Sequence, residues 1–409
     1  MNILFISTSD LHGGAAIAAF RLMNALPAEE MNVNMLVRDK RSSNGNVIEV
    51  GNKTINEWNF LWERGKIFMA NRFSRKNLFD ISIANTGVSV TELPEFQHAD
   101  IIHLHWINQG MLSVKEIGRI LASGKKVVWT MHDMWPFTGI CHHAENCTNY
   151  HRECGRCPYL IAPSRHDLSN KIFKQKQTTY SLGKITFVAC SNWLKDLAEK
   201  SPLTTAHTPV SIPNPIDTQH YRPIDKIGTR KKLQLPLDKK IVLFAAVKTS
   251  DKRKGSDYLI EASRLMKQHT DNVLFLIVGN NGKEIANQLA LPAQSMGFVA
   301  PENMPDVYNA ADVFVTPSLQ ENLPNTIMEA MACGTPCVGF CIGGIPEMID
   351  HLKTGYVAKY KNSTDLAKGL FWTLFEADTE TLSANAREKV VKTYAQEIVS
   401  AQYKQIYAR

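Results

Sequence analysis

The sequence predicts an α/β protein built from two parallel-sheet domains. Short apolar strands alternate with helical stretches almost throughout, the pattern of βα units on parallel sheets. A chain of 409 residues is too long for one ordinary core. A proline-rich stretch, Val210-Ser-Ile-Pro-Asn-Pro-Ile-Asp217 followed by Tyr221-Arg-Pro223, divides the strands into two series. The first series reads near Ile3–Ser7, Val33–Val37, Ile101–His105, Val127–Met131 and Ile185–Cys190. The second reads near Ile241–Ala246, Val273–Val278, Asp312–Thr316 and Pro336–Gly339. Domains are therefore expected over about 1–210 and 222–383, with a helical segment from about 384 to 409.

Composition narrows the class. Hydrophobic residues make up 44% and charged residues 21%, values of a soluble globular protein. No apolar run approaches membrane-spanning length. The first ten residues read as a β-strand and not as a signal peptide, so a cytoplasmic location is expected. The net charge of +7 leans to the first half, where residues 1–205 carry 23 Lys and Arg against 18 Asp and Glu. That bias suits an anionic acceptor or membrane surface, and it is too small to argue for a nucleic acid partner.

Five places at predicted strand ends carry groups able to do chemistry, because ligands of parallel sheets bind at the carboxyl ends of strands. After the first strand comes Asp10-Leu-His-Gly-Gly-Ala-Ala-Ile17; its Gly pair opens a helix, as a tight turn or as a close approach to negative charge. The fourth strand ends at His132-Asp133, and His103, His105 and Trp106 end the strand before it. Lys248 and Lys254 flank a turn between a strand and a helix, either as solvated cations or as partners of a diphosphate. The stretch Ser318 to Glu329 sets Glu321 in a loop and Glu329 about a turn inside a helix, with Asn325 or Thr326 as its cap. Two carboxylates beside a helix end suit a nucleotide-sugar, with hydroxyls for the acids and diphosphate for the N–H groups.

Together with Glu329-Ala-Met-Ala-Cys-Gly-Thr-Pro336 and Gly343-Gly-Ile-Pro-Glu347, this segment resembles the donor half of the retaining glycosyltransferases of family 4, whose paired-glutamate signature Glu321 and Glu329 match. The resemblance implies the GT-B architecture, two Rossmann-like domains facing across a cleft, with the last helix crossing back to the first domain. It also implies roles. Lys248 and Lys254 would neutralise the leaving diphosphate, although the first of these places usually holds Arg. Glu321 would orient the sugar and Glu329 the ribose. Asn322, Leu323, Pro324, Asn325, Gly343, Gly344 and Gly14 would line the donor, and His132 would sit by the transferred sugar. His103, His105 and Trp106 fall on the acceptor side. Asp-x-Asp is absent from the sequence, so no metal is expected in catalysis.

Two further features stand apart. Cys141, Cys147, Cys154 and Cys157 lie within 17 residues, which suits either a structural zinc or four reduced thiols shaping the loop after His132. A similar loop occurs in the capsule and exopolysaccharide subgroup of the family. Residues 56–82 mix Trp58, Phe60, Trp62, Phe68, Phe73 and Phe79 with five cations, either as a helix burying its rings or as a lipid-facing patch.

The expected activity is therefore transfer of a sugar, from a UDP-sugar first, to a saccharide or lipid-linked saccharide in surface polysaccharide synthesis. A sugar-nucleotide epimerase of the same fold and a non-catalytic scaffold are the alternatives.

Overall fold

Thirteen strands form two wholly parallel sheets, and the order of the strands fixes where ligands can bind. The computed structural model describes all residues, Met1–Arg409. In the first sheet the strands are β1 (Asn2–Ser9), β2 (Asn32–Asp39), β3 (Val47–Glu49), β4 (Ile101–Leu104), β5 (Lys126–Met131), β6 (Ile185–Ala189) and β7 (Val210–Ser211). Their spatial order is β3-β2-β1-β4-β5-β6-β7. The second sheet holds β8 (Lys240–Lys248), β9 (Val273–Asn280), β10 (Ala293–Gly297), β11 (Val313–Thr316), β12 (Cys337–Phe340) and β13 (Gly355–Ala358), in the order β10-β9-β8-β11-β12-β13. Strand order reverses between β1 and β4 in one sheet and between β8 and β11 in the other. Loops leaving the carboxyl ends of those strands diverge and open a crevice.

Helices cover both faces of each sheet, so the central strands are buried on both sides and read as unbroken apolar runs. Ile3, Leu4, Phe5 and Ile6 of β1 are buried, as are Ile241, Val242, Leu243 and Phe244 of β8. Each sheet has its own core, one gathered around Trp129, Phe137 and Phe187 and the other around Phe244, Phe275 and Phe340. The chain divides into two compact units, one comprising Met1–Asn214 with Ser400–Arg409 and the other Pro215–Val399. No helix is long and apolar enough to cross a membrane.

The C-terminal segment is two helices, Thr379–Thr393 and Gln396–Ala408, where the sequence suggested one from about residue 384. Only residues 400–409 belong to the first unit, so the crossing falls later than expected. Their attachment there is specific. Tyr407 Oη lies 2.7 Å from His103 Nδ1, and Tyr403 Oη lies 2.8 Å from Thr130 Oγ1. Lys126 Nζ donates to the Tyr407 carbonyl at 2.8 Å, and Lys404 pairs with Glu30. Both tyrosines are buried. Replacing Tyr403 by Ala removes a fully packed ring and is expected to cost about 3–5 kcal/mol, measured as a lower urea midpoint for the first unit. An unchanged midpoint would show that the C-terminal turn does not hold that unit together.

Candidate active site

The loops that diverge at the second sheet's switch point carry the predicted donor residues. Lys248 ends β8 and Lys254 closes the short 3-10 turn Lys252–Lys254 that follows it. Glu321 lies in the loop after β11. Lys254 Nζ reaches Glu321 Oε1 at 2.5 Å, so the two charges meet across the switch point. The carboxylate is largely shielded (14% exposed) and the ammonium is about a third exposed. Lys248 lies on the same loop as Lys254, with an exposed side chain.

Two close backbone approaches hold these loops in place. Gly255 has φ 69°, and a Cβ there would lie 1.8 Å from the Pro317 carbonyl oxygen. Gly343 has φ 58°, and a Cβ there would lie 1.8 Å from the Glu321 carbonyl oxygen. Only glycine permits either contact. The contacts are reinforced by Leu319 N–H donating to Arg253 O at 2.7 Å and by Gly344 N–H donating to Asn322 O at 2.8 Å. Lys254, Glu321, Asn322, Gly343 and Gly344 are thereby brought together, with Leu323 and Pro324 buried beneath them.

The helix Asn325–Ala332 begins directly after this loop. Neither Asn325 nor Thr326 caps it, contrary to expectation: Pro324 is the capping residue, and no side chain accepts from the first turn. Proline takes the N-cap position with extended ψ, which moves Asn325 one place into the helix. Ile327, Met328 and Met331 are buried, as expected of the inner face. Glu329 is also buried and accepts a hydrogen bond from Tyr308 Oη at 2.8 Å. Tyr308, on the helix Met304–Ala310, was not singled out from the sequence; it lies 21 positions before Glu329 with no motif linking them.

In the first unit, Gly13 caps the helix Gly14–Ala25 with φ 94°, so Gly14 is the first helical residue after β1. Across that sheet's switch point, Thr8 Oγ1 donates to the carbonyls of Trp106 and Asn108. His103, His105 and His132 form a row. The rings of His103 and His105 are 4.2 Å apart at their centroids, and His105 Nδ1 lies 3.1 Å from His132 Nε2. The Cys190 thiol lies 3.5 Å from His132 Nδ1. Burial holds His132 down at about 4 against the opposing pull of Asp133, and it lowers His103 and His105 well below the usual imidazole range. At neutral pH these rings are uncharged. His132 can offer a hydrogen bond there but not a positive charge.

Trp106 Nε1 donates to Asp133 Oδ2 at 2.7 Å, and His142 Nδ1 sits 2.6 Å from the same oxygen. Burial alone would raise Asp133, but the charge and hydrogen bond of His142, with the Trp135 N–H, bring it down to about 2. His103 is tied to Tyr407 and Thr130 in the interior, which makes it a packing residue of the sheet and not a lining one. His105 is buried as well.

The four loop cysteines line one small cavity with Tyr150 and Tyr159. All are free thiols. Burial, with the proximity of the other thiols, pushes Cys141 above the usual range; burial likewise pushes Cys154 up to about 12 and Cys157 to about 11. Gly139 N–H donates to Cys154 Sγ at 3.2 Å. No three His, Cys, Asp or Glu side chains group closely enough to hold a metal ion. His142, beside Cys141 in the loop, is engaged by Asp133 and by Ser82 at 3.0 Å. As arranged, the loop packs its four cysteine side chains around one small cavity.

Residues 225–389 match the family model described as glycosyl transferases group 1. That stretch contains Lys248, Lys254, Glu321, Glu329 and the Gly343–Gly344 turn. The second unit is therefore similar to a group 1 glycosyltransferase domain over those residues. Over longer spans the chain is 26% identical to an uncharacterized glycosyltransferase of Methanocaldococcus jannaschii, covering 81% of this chain and 90% of that one. It is 22% identical to the UDP-Gal:alpha-D-GlcNAc-diphosphoundecaprenol alpha-1,3-galactosyltransferase of Escherichia coli, covering 96% and 93%. Among solved structures, HepE of Anabaena in complex with UDP-glucose aligns with a TM-score of 0.65 at 17% identity, covering 100% of this chain and 99% of that one. That likeness shows the GT-B fold over the whole chain.

Within the second unit, Tyr308→Phe keeps the ring and removes one hydrogen bond to a buried carboxylate. The expected outcome is a weakening of nucleotide-sugar binding by about tenfold to a hundredfold or more, as loss of a charge-assisted hydrogen bond of about 1.5–3 kcal/mol implies, with kcat little changed. Calorimetric titration of both proteins measures it.

A pH dependence also follows. Lowered imidazole pKa values mean that the unfolded chain takes up protons first as pH falls. The stability from His103, His105 and His132 is complete above about pH 6.5 and is lost as pH drops towards 4, where His132 titrates. Tm is expected to fall by at least about 5 °C between pH 7.5 and 4.5. A flat profile across that window would contradict the burial of neutral rings.

Proposed function

We propose that this chain is a retaining, metal-independent glycosyltransferase that moves a sugar from a nucleotide-sugar to a saccharide or lipid-linked saccharide. One observation carries the reading: Lys254 and Glu321 meet at the switch point of a group 1 glycosyltransferase domain. Each now balances the other's charge. A nucleotide-sugar offers each a better partner, diphosphate for the ammonium and sugar hydroxyls for the carboxylate. Binding therefore exchanges one internal ion pair for two contacts with the donor. As the sugar–phosphate bond breaks, negative charge grows on the diphosphate, and Lys254, Lys248 and the N-terminus of the helix Asn325–Ala332 stabilise it. Glu329, oriented by Tyr308, takes the ribose hydroxyls.

His132, neutral at the end of β5, is the candidate hydrogen-bond partner of the transferred sugar. The acceptor hydroxyl attacks from the face the diphosphate leaves, so the α configuration is kept and no covalent nucleophile is needed. The name of the Escherichia coli relative supports a UDP-sugar donor and a lipid-linked acceptor in surface polysaccharide synthesis.

Glu321→Ala and Lys254→Ala are each expected to lower turnover by about a hundredfold or more. The assay follows release of the nucleoside diphosphate from a panel of nucleotide-sugars, with Tm confirming that both variants fold. Near wild-type rates in both would refute the assignment. Isomerised donor formed without any acceptor would instead indicate an epimerase.

A further inference from the structure

The helix Lys53–Ala70 is inside out. Four of its polar residues are buried beside Ile67, while Trp58, Leu61 and Trp62 face solvent. Asn56, Asn59, Glu63 and Arg64 are all buried. Glu63 Oε1 accepts from the N–H groups of Ile83 and Ala84, each at 2.8 Å, and Oε2 pairs with Arg64 at 2.9 Å. Arg64 donates onward to the carbonyls of Leu78 and Ile81. Asn56 Nδ2 donates to Val50 O at 2.9 Å, and Asn59 Oδ1 accepts from Thr86 Oγ1 at 2.6 Å. Meanwhile Trp58 is 62% exposed, Leu61 63% and Trp62 40%. An ordinary surface helix does the reverse. The simpler expectation from the sequence, that this helix buries its rings, is therefore not met.

Just beyond the helix, Phe73 and Phe79 are exposed as well, at 70% and 63%. Phe79 stacks on Phe60 at 6.5 Å between centroids, and Trp58 stacks on Trp62 at 5.8 Å with planes 15° apart. The turn that carries Phe73 is braced by the cysteine loop. Asn71 Oδ1 accepts from Ile161 N–H at 2.7 Å, and Asn77 Nδ2 donates to Tyr159 O at 3.1 Å. A fixed apolar surface of this breadth marks a site of contact.

The charges around it select the partner. Lys53, Lys66, Arg72, Arg75 and Lys76 are exposed over this segment, against only Glu57 and Asp80. Lys66 Nζ lies 4.7 Å from the centre of the Trp62 ring. Indole rings with lysines beside them match the lipid–water boundary, where the rings enter the headgroup region and the ammonium groups meet phosphate. We propose that the Lys53–Ala70 helix and the turn through Phe79 dock the protein onto an anionic lipid surface. The helix lies along the bilayer plane, and its buried Glu63–Arg64 network anchors it to the first unit.

Flotation of the full-length protein with vesicles tests this without any donor or acceptor, so its outcome is independent of the proposed activity. The protein is expected to bind phosphatidylcholine vesicles containing phosphatidylglycerol at low salt, and to bind pure phosphatidylcholine at least fivefold less. Trp58→Ser/Trp62→Ser is expected to lose at least tenfold in partitioning while keeping its Tm. Lys66→Glu/Arg75→Glu/Lys76→Glu retains the rings and is expected to lose binding to the anionic vesicles, which keeps the test valid should the first variant not fold. Absence of binding to anionic vesicles, or binding undiminished in both variants, overturns the proposal. So does a dimer of the wild type that both variants abolish without any vesicle binding, because the patch would then join two copies of the chain.

Discussion

Two carbonyl oxygens, those of Pro317 and Glu321, sit where side chains would have to be if residues 255 and 343 were anything but glycine. That exclusion holds three strand-end loops of the second unit together. The loop after β8 lies against the start of the loop after β11, and the loop after β12 lies against its middle. Without these contacts the loops would diverge at the switch point, as the strand order makes them do. With them, an ammonium and a carboxylate from loops 67 positions apart stand within a hydrogen bond of each other. The charge pair is a consequence of backbone packing, and the backbone packing is a consequence of two missing Cβ atoms.

The first unit uses its polar residues differently. Around the Lys53–Ala70 helix, carboxylate, guanidinium and amide groups are turned inward: Glu63 and Arg64 meet backbone groups of residues 78–84, and Asn59 meets the Thr86 hydroxyl. Each such contact offsets part of the cost of taking a polar or charged group out of water. The cysteine loop supplies part of the framework. Ile81 pairs with Cys141, and His142 N–H donates to the Asp80 carbonyl. The dense thiol cluster thus has a mechanical place in the fold, between the strand-end residues His132 and Asp133 and the exposed aromatic turn.

Every central strand was legible in the sequence, and every edge strand was not. β3, β7, β10 and β13 are the outermost members of the two sheets, and they read Val-Ile-Glu, Val-Ser, Ala-Gln-Ser-Met-Gly and Gly-Tyr-Val-Ala. A strand covered on both faces must be apolar throughout, whereas a short strand at an open edge meets less of the core and its composition blends with loops. Glu321 and Lys254 were legible because their chemistry and their place at strand ends coincide. Tyr308 was not, because what makes it important is a contact between two helices. The buried polar face of the Lys53–Ala70 helix was hidden for a related reason: spacing shows which residues share a face, but not which face the rest of the fold will cover.

The ten residues that close the chain are part of the unit that opens it. Tyr403 and Tyr407 cover His103 and Thr130, and Lys404 reaches Glu30. During synthesis the first parallel sheet can assemble early, yet one side of β4 and β5 stays uncovered until residues 400–409 have been made. Maturation of the amino-terminal half is thereby timed by a segment made far later, and a message cut short before that segment yields a protein whose defect lies in β4 and β5.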